Sequence, residues 1–280
     1  MCGIAGGYVT DAQVRAGLDA IAHRGPDARG TFRLDRLVLG HVRLSIIDTS
    51  EASNQPFIQG PVTLAFNGEI WNYKALRERL TRRGTRFKTE GDTEVFAAAL
   101  ADWGESALDQ MDGMFAAAWT FGKSLFLARD RFGEIPLHVA LSPTLMFASE
   151  VKALKAMGAK GAFFRVGPGE VWEARTEHVG ITKRKYYDPP ALVEDRFSSR
   201  TRKVAAAVLR QNLEASCAER AMSDVPVCTL LSGGIDSTAV AHFLSRQVPG
   251  LVAYTAVHNP RSRDLRDARL GEDIPRDRGA

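Results

Sequence analysis

The chain opens with MCGIAGG (residues 1–7), in which a cysteine follows Met1 and precedes a run of small and apolar residues. A methionine before a small residue is normally removed, and we expect its removal to give Cys2 a free α-amine. An α-amine titrates at about 8, so part of it is neutral near pH 7 and can accept the thiol proton. The alternative is that Cys2 is a small buried hydrophobic residue. The neighbouring glycines permit close approach of a substrate and favour the nucleophile.

Beyond this opening, short apolar runs separated by Gly, Pro and Asn predict strands, and helical spacing alternates with them. This mixture favours two sheets with helices outside, in an α+β or layered α/β domain. The predicted strands lie at 38–39, 62–66, 114–119, 125–128, 137–141 and 145–147, and the predicted helices at 73–82, 93–103 and 150–157.

The texture changes near residue 183 to a polar stretch with adjacent prolines, which cannot continue a helix. We therefore predict a first domain at 1–185, a linker at 186–200 and a second domain at 201–280. In the second domain the spacing predicts a helix, a strand, a glycine-containing turn, a helix and a second strand, which is the beginning of a nucleotide-binding parallel sheet. Those elements are expected at 201–222, 225–231, 232–237, 236–246 and 251–257.

Composition excludes several classes of protein. The 280 residues carry 37 Lys and Arg against 33 Asp and Glu, scattered along the chain, so we expect no nucleic-acid surface. Neither a signal peptide nor an apolar run long enough to span a membrane is visible, which predicts a cytoplasmic protein that makes no membrane contact. The cysteines Cys2, Cys217 and Cys228 form no CxxC pair, which argues against a disulfide framework and a zinc site.

A second candidate site is LLSGGIDST (residues 230–238), which follows a predicted strand and opens a predicted helix. Backbone N–H groups at such a helix start, helped by the helix dipole, can bind a phosphate. The GK[ST] ending of a Walker A loop is absent. The alternative is a glycine turn with a serine that caps the helix.

Several motifs in order resemble class II glutamine amidotransferases, and their wording is most similar to the glutaminase domain of glutamine-hydrolysing asparagine synthetases. These motifs are MCGIAG, HRGPD (23–27), HVRLSIID (41–48), FNGEIWNY (66–73), GDTEV (91–95), DGMFA (112–116) and RDRFG (129–133). The resemblance implies an N-terminal nucleophile hydrolase domain with four αββα layers. SGGIDS (232–237) resembles the loop of ATP pyrophosphatases, which implies the start of a doubly wound parallel sheet.

The resemblance also implies roles for individual residues. In the first domain Arg43 matches the position that grips the glutamine α-carboxylate, and Ile46 also matches a glutamine contact. Glu69 and Asp92 match positions that hold the α-ammonium, while the Asn67 side chain and Gly68 N–H match the oxyanion hole.

Taken singly, each of these residues has an ordinary alternative. Arg43 is compatible with a surface strand, Asn67-Gly68 with a hairpin turn, and Glu69 or Asp92 with a helix cap. We interpret His23 and His41 as structural, because the N-terminal amine already supplies the base.

In the second domain the matching positions are expected to bind ATP and Mg²⁺. They are Leu230, Ser232, Gly233, Gly234, Asp236, Ser237 and Val257. Leu230 and Val257 match the adenosine pocket, Ser232 and Ser237 supply hydroxyl donors, and Asp236 matches a position that helps to place the magnesium ion.

Together the two sites imply a glutamine-dependent asparagine synthetase. Cys2 would release ammonia from glutamine to amidate an adenylated aspartate, with release of AMP and pyrophosphate. The second domain is much shorter than in that family, so three further readings stay open: another carboxylate acceptor, including a β-lactam-forming enzyme; a truncated glutaminase or regulatory subunit; and a split enzyme. The resemblance implies a homodimer as one possible assembly, and the short second domain implies as another a partner chain that supplies the rest of the synthetase domain.

Overall fold

The structure, a computed structural model, describes residues 1–175, 180–191 and 199–256. The chain divides between Pro190 and Ala191 into two compact units. Tyr186 and Tyr187, which the sequence places in the linker, donate backbone hydrogen bonds to the Gly169 carbonyl, and the Tyr186 hydroxyl donates to the Arg129 carbonyl at 2.7 Å. The first unit therefore continues beyond residue 185.

The first unit consists of two six-stranded sheets and four α-helices. The helices are α1 (Asp11–Ala20), α2 (Tyr73–Arg82), α3 (Asp92–Trp103) and α4 (Val151–Ala156). The strands are β1 (Gly3–Tyr8), β2 (Ala28–Leu34), β3 (Leu37–Arg43), β4 (Phe57–Gln59), β5 (Val62–Ile70), β6 (Gly113–Phe121), β7 (Ser124–Arg129), β8 (His138–Ser142), β9 (Met146–Ala148), β10 (Lys160–Arg165), β11 (Glu170–Arg175) and β12 (Ile181–Lys185).

The strands are ordered β10-β8-β9-β1-β3-β2 in one sheet and β12-β11-β7-β6-β5-β4 in the other, with antiparallel neighbours throughout. Side chains of alternating residues point to opposite faces of a strand. In β1, Ile4 belongs to a buried cluster shared with the second sheet, whereas Ala5 packs with Val14 and Leu18 of α1 and Leu154 of α4. This alternation places one face of the first sheet against the second sheet and the other face against α1 and α4.

Helices α2 and α3 cover the other face of the second sheet. The ring of Phe96, from α3, meets Phe66 of β5 and Phe115 of β6 edge to face, with centroids 5.4 and 5.3 Å apart. These pairs anchor α3 on the centre of the sheet. The four-layer αββα arrangement expected from the sequence is confirmed.

Helical spacing located three of the four helices almost to the residue, because their apolar stripes are regular. It missed α1, although Thr10 and Gln13 form a reciprocal capping box at its start. Several strands were missed as well. Among them, β2 carries no apolar run and alternates between partly buried and exposed residues, and β10 is exposed at every position but one.

The RDRFG motif is a loop organised by one carboxylate. Asp130 has no solvent exposure, and its oxygens accept the N–H groups of Phe115, Phe132, Glu134 and Ile135 at 3.0–3.3 Å. Asp130 thereby ties the end of β7 to β6 and shapes the turn that follows.

The second unit begins with the long helix α5 (Ser199–Arg220). A short strand, β13 (Cys228–Leu230), leads through a glycine-containing loop into α6 (Ile235–Gln247), and β14 (Val252–Tyr254) pairs with β13 in parallel. The predicted order helix, strand, turn, helix, strand is present. Both strands are shorter than predicted, and Val257 lies outside the described residues.

Among the residues that the structure describes, none of the helices has the length and apolarity needed to cross a membrane.

Removing the Asp130 carboxylate should destabilise the first unit. In Asp130→Ala four N–H groups, two of them fully buried, lose their acceptor, and we expect the free energy of unfolding to fall by about 3–5 kcal/mol. Urea titration followed by far-UV circular dichroism measures this change. Asp19→Ala is the matched control, because its carboxylate is 66% exposed and pairs only with Arg29 among the described residues. Equal midpoints for the two variants would contradict the role assigned to Asp130.

Candidate functional site

One cleft in the first unit contains every residue that the sequence predicts for the first-domain site. It has about 490 Å³ of empty space, counted out to its open mouth. Its walls come from the N-terminus, the end of β3 with the loop after it, the end of β5, and the start of α3. The predicted residues on the wall are Cys2, Arg43, Ile46, Asn67, Gly68, Glu69 and Asp92.

The Cys2 thiol lies at the base of β1, beside the chain that leaves β3. Its Sγ is 3.5 Å from the Leu44 carbonyl oxygen and 3.4 Å from the Leu44 nitrogen. Arg24 donates from Nε to the Cys2 carbonyl at 2.8 Å and is itself paired with Glu150 at 3.0 Å. The nucleophile candidate is therefore held through its backbone by Arg24, and its thiol hydrogen-bonds only with the Leu44 backbone among the described residues.

Opposing effects act on the pKa of the Cys2 thiol. Burial raises the pKa of the thiol, while the Leu44 hydrogen bond, the N-terminal ammonium and Arg43 lower it. Burial also lowers the pKa of the Met1 ammonium, and Arg24 acts in the same direction. Burial beside the thiol thus favours the neutral form of the Met1 amine.

Asn67 and Gly68 lie inside β5, so the hairpin-turn alternative is wrong. Strand β4 pairs only with residues 62–64, and no other strand of the described residues lies against the edge of β5 beyond it. N–H and C=O groups of every second residue point to that edge. Phe66 and Ile70 use theirs: the Phe66 N–H donates to Gln55 Oε1 at 2.7 Å, and the Ile70 N–H donates to Asp92 Oδ2 at 3.0 Å. Gly68, midway between them, directs its N–H into the cleft.

The Asn67 side chain is fully buried, and neither its Oδ1 nor its Nδ2 has a hydrogen-bond partner in the described part of the chain. A buried amide without partners costs about 1–3 kcal/mol, so such groups are rare unless a ligand uses them. Gly68 is constrained differently. A Cβ at this position would lie 2.0 Å from the Met114 carbonyl oxygen, so no larger residue fits. Together the two residues form a donor pair that faces the cleft.

Two carboxylates face this donor pair. Asp92 is 5% exposed at the first turn of α3, and burial raises its pKa to about 7 against the hydrogen bond from Ile70, with the negative charge of Glu69 adding to the rise. Burial also raises the pKa of Glu69, opposed by the N-terminal ammonium. Two acidic groups with raised pKa values in one cleft favour a cationic ligand.

Arg43 lines the cleft with its guanidinium already engaged. Its Nη1 donates to the Ser50 carbonyl at 2.7 Å and to Asn54 Oδ1 at 2.9 Å, and its Nη2 donates to the carbonyls of Ile47 and Asp48. These four bonds leave Nε–H as the remaining donor. A bidentate grip on a carboxylate therefore requires that the 47–54 loop give up some of these bonds.

The two histidines behave as structural residues. His23 is on the surface, where its Nε2 is 3.1 Å from Glu150. His41 has no exposure; its Nε2 donates to the Phe66 carbonyl at 3.2 Å, and burial lowers its pKa to about 3. A histidine that stays neutral near pH 7 with its proton on Nε2 supplies neither an acid nor an exposed base.

Sequence reasoning missed the residues that support the cleft. Gln55, Leu44, Thr93 and Met114 line it, and Gln55 fixes the Phe66 N–H. Gln55 precedes a proline and carries no motif of its own. The role of Gln55 becomes visible only in the structure, where β4 ends before it reaches Phe66 and leaves the Phe66 N–H to Gln55.

In the second unit the loop of residues 231–234 joins β13 to α6. Gly233 has a φ of +81°, and Gly234 is the N-cap of α6 without a side-chain cap. The Ser232 and Ser237 hydroxyls are 3.0 Å apart, and Ser237 Oγ donates to the Gly234 carbonyl at 3.2 Å. Neither serine side chain caps the helix, so the first-turn N–H groups of α6 remain available.

The other predicted residues of this loop are also placed by the structure. Leu230 is 76% exposed at the end of β13, and Asp236 lies exposed in the first turn of α6. Uncapped N–H groups, two hydroxyls and a carboxylate fit a magnesium-bound polyphosphate. No cluster of three or more His, Cys, Asp or Glu side chains able to hold a metal ion occurs within residues 1–175, 180–191 and 199–256.

A four-layer αββα fold, with a cysteine as its second residue beside a polar cleft, is the architecture of the N-terminal nucleophile amidotransferases. Residues 1–164 match the family model described as "Glutamine amidotransferase domain", and residues 208–272 match part of the one described as "Asparagine synthase". The chain belongs to the glutamine amidotransferase domain family.

Sequence comparison finds relatives with both parts. The chain is 37% identical over 227 residues to "Asparagine synthetase [glutamine-hydrolyzing] 2" of Arabidopsis thaliana, covering 79% of this chain and 37% of that protein. It is 38% identical over 225 residues to "Asparagine synthetase B [glutamine-hydrolyzing]" of Escherichia coli strain K12, covering 78% and 39%. The chain thus spans about two fifths of the length of these curated relatives.

Among solved structures the chain is similar to the glutamine phosphoribosylpyrophosphate amidotransferase of B. subtilis complexed with ADP and GMP. The TM-score is 0.59 at 21% identity, covering 95% of this chain and 70% of that one. This likeness supports the fold.

The raised pKa of Asp92 should appear in the pH dependence of stability. A carboxyl that is neutral in the folded state and ionised in the unfolded state loses its stabilising contribution as pH rises from about 4 through about 7. Asp92→Asn stays neutral, so its stability relative to wild type should increase between pH 5 and 8 by an amount on the order of 3 kcal/mol. Urea unfolding at a series of pH values measures this difference. The exposed Asp112→Asn should leave the profile unchanged; a flat difference for Asp92→Asn would contradict the assignment.

Proposed function

We propose that the first unit hydrolyses glutamine to glutamate and ammonia with Cys2 as the nucleophile. The observation that carries this proposal is that Cys2 shares one cleft with six other predicted residues from separate parts of the sequence. Membership of the glutamine amidotransferase domain family supports the same substrate.

Each group has a place in the proposed reaction. The α-ammonium of glutamine sits between Glu69 and Asp92, and its carboxylate takes donors from Arg43. The thiolate attacks the side-chain amide carbon, and the developing oxyanion accepts the Asn67 Nδ2–H and the Gly68 N–H. The Cys2 α-amine takes the thiol proton and returns one to the leaving ammonia, and water then hydrolyses the thioester to glutamate.

We further propose that the ammonia amidates the side-chain carboxylate of aspartate, as the names of the curated relatives suggest for those proteins. ATP would adenylate that carboxylate with release of pyrophosphate, and ammonia would then displace AMP to form the amide. The α6 N-terminus with Ser232, Ser237 and Asp236 would bind the phosphates of ATP with Mg²⁺. Leu230 and Val257 would contact the adenosine. This step depends on the whole protein and stays a proposal, as do the cytoplasmic location and assembly with a second copy or a partner chain.

Cys2→Ala should abolish glutamine hydrolysis, because no other side chain in the cleft can form the thioester. Glutamate release, measured by a coupled dehydrogenase assay, should fall by at least about 10⁴-fold while circular dichroism stays unchanged. The control is Cys217→Ala, which removes a free thiol of the second unit and should hydrolyse glutamine at the wild-type rate. Unchanged hydrolysis in Cys2→Ala would rule out Cys2 as the nucleophile.

The base is tested separately from the nucleophile. A protein made to retain Met1, as verified by mass spectrometry, should lose nearly as much activity as Cys2→Ala, because its Cys2 nitrogen is then an amide that cannot accept a proton. Full activity with Met1 in place would show that another group is the base.

The synthetase proposal has its own assay. The untagged chain, incubated with glutamine, Mg-ATP and aspartate, should release pyrophosphate only when aspartate is present, and Ser237→Ala should reduce that release. Glutamate formation alone would limit the chain to a glutaminase, and pyrophosphate release with a different carboxylate would change the acceptor.

A further inference from the structure

The backbone of Phe66 is held at both of its polar groups by side chains from outside its sheet. Its N–H donates to Gln55 Oε1 at 2.7 Å, and its carbonyl accepts from His41 Nε2 at 3.2 Å. Both bonds are buried, since His41 has no exposure and Gln55 is 6% exposed. His41 belongs to β3 of one sheet, and Phe66 belongs to β5 of the other.

The position of this residue matters because Asn67 and Gly68 follow it directly. The Phe66 carbonyl and the Asn67 N–H are parts of one planar peptide group, so a bond to the carbonyl fixes the plane from which the Asn67 side chain departs. The unpartnered Asn67 amide has no bond of its own in the described residues that would hold it. Its orientation therefore depends on the backbone.

We propose that His41 and Gln55 are positioning residues that orient the Asn67 amide and the Gly68 N–H for the oxyanion. Because Cys2 precedes β1 and β1 pairs with β3, the His41 bond also fixes the oxyanion strand relative to the strands that carry the nucleophile. This inference rests on the proposed glutaminase function.

The test is a set of matched variants. His41→Leu removes the donor to Phe66, and His41→Gln offers an amide donor at similar reach. Tyr8→Phe is the control, since the Tyr8 hydroxyl also joins the two sheets, from β1 to the Ala174 carbonyl of β11 at 3.2 Å, and does not line the cleft. Gln55→Met removes the acceptor at the other side of Phe66 and replaces His41→Leu as the test if that variant does not fold.

Oriented oxyanion donors stabilise the transition state more than the bound substrate. Their loss should therefore lower kcat and leave KM nearly unchanged. We expect His41→Leu to lose about tenfold to a hundredfold in kcat with KM within roughly threefold of wild type, and His41→Gln to recover most of the loss. Tyr8→Phe should keep the wild-type kcat. A folded His41→Leu or Gln55→Met that retains wild-type kcat overturns the proposal, as does a loss in Tyr8→Phe equal to that in His41→Leu.

Hydrogen exchange separates this inference from the proposed function. Exchange at the amides of residues 66–69 should be faster in His41→Leu than in wild type, with β7 unchanged. If wild type hydrolyses no glutamine, the proposed function fails, and hydrogen exchange alone tests the positioning role of His41. Faster exchange at residues 66–69 in His41→Leu then supports that role, and equal exchange overturns it.

Discussion

The site depends on the early end of strand β4. Because β4 pairs with only three residues of β5, the rest of that edge has polar backbone groups without a strand to bond them. Buried N–H and C=O groups must find other partners, and this requirement brings Gln55, His41 and Asp92 to the edge. Gly68, in the middle, presents its N–H to a cleft. A complete β4 would cover that N–H and leave no oxyanion site.

The packing of the two sheets explains how the uncovered edge of β5 comes to face Cys2. Strand β1 lies in the centre of its sheet beside β3, and the inner faces of both sheets share one apolar cluster that includes Ile4, Leu39 and Ala65. Packing side chains of this size leaves the sheets about 10 Å apart, a separation that a histidine side chain can bridge. Cys2, the proposed nucleophile, and the proposed oxyanion donors Asn67 and Gly68 therefore approach each other across the layer interface. The core that stabilises the fold also sets the geometry of the site.

Whether a site residue could be predicted from the sequence depends on whether it stands in a local motif. Cys2, Asn67, Gly68 and Asp92 stand in compact motifs, and their convergence in one cleft agrees with the expectation drawn from those motifs. Gln55 acts through a backbone N–H eleven residues further along the chain, so no local pattern marks it. The carbonyl groups that occupy Arg43 belong to the loop that follows it, and their directions depend on backbone torsions that residue type does not determine. Regular helices were predictable from spacing, whereas β2 lacks the apolar run by which strands were sought.

The charges that line the cleft indicate which chemical groups its ligand carries. Glu69 and Asp92 lie close enough to raise each other's cost of ionisation, and the guanidinium of Arg43 is mostly engaged by carbonyl oxygens. An ammonium group placed between the carboxylates would favour their ionised forms and recover part of the free energy that burial costs them. The unpartnered amide of Asn67 adds a second cost that a carbonyl oxygen would remove by accepting its N–H. A ligand that carries both an ammonium group and a polar carbonyl lowers both costs at once, and glutamine, the proposed substrate, carries both in its α-ammonium and its side-chain amide.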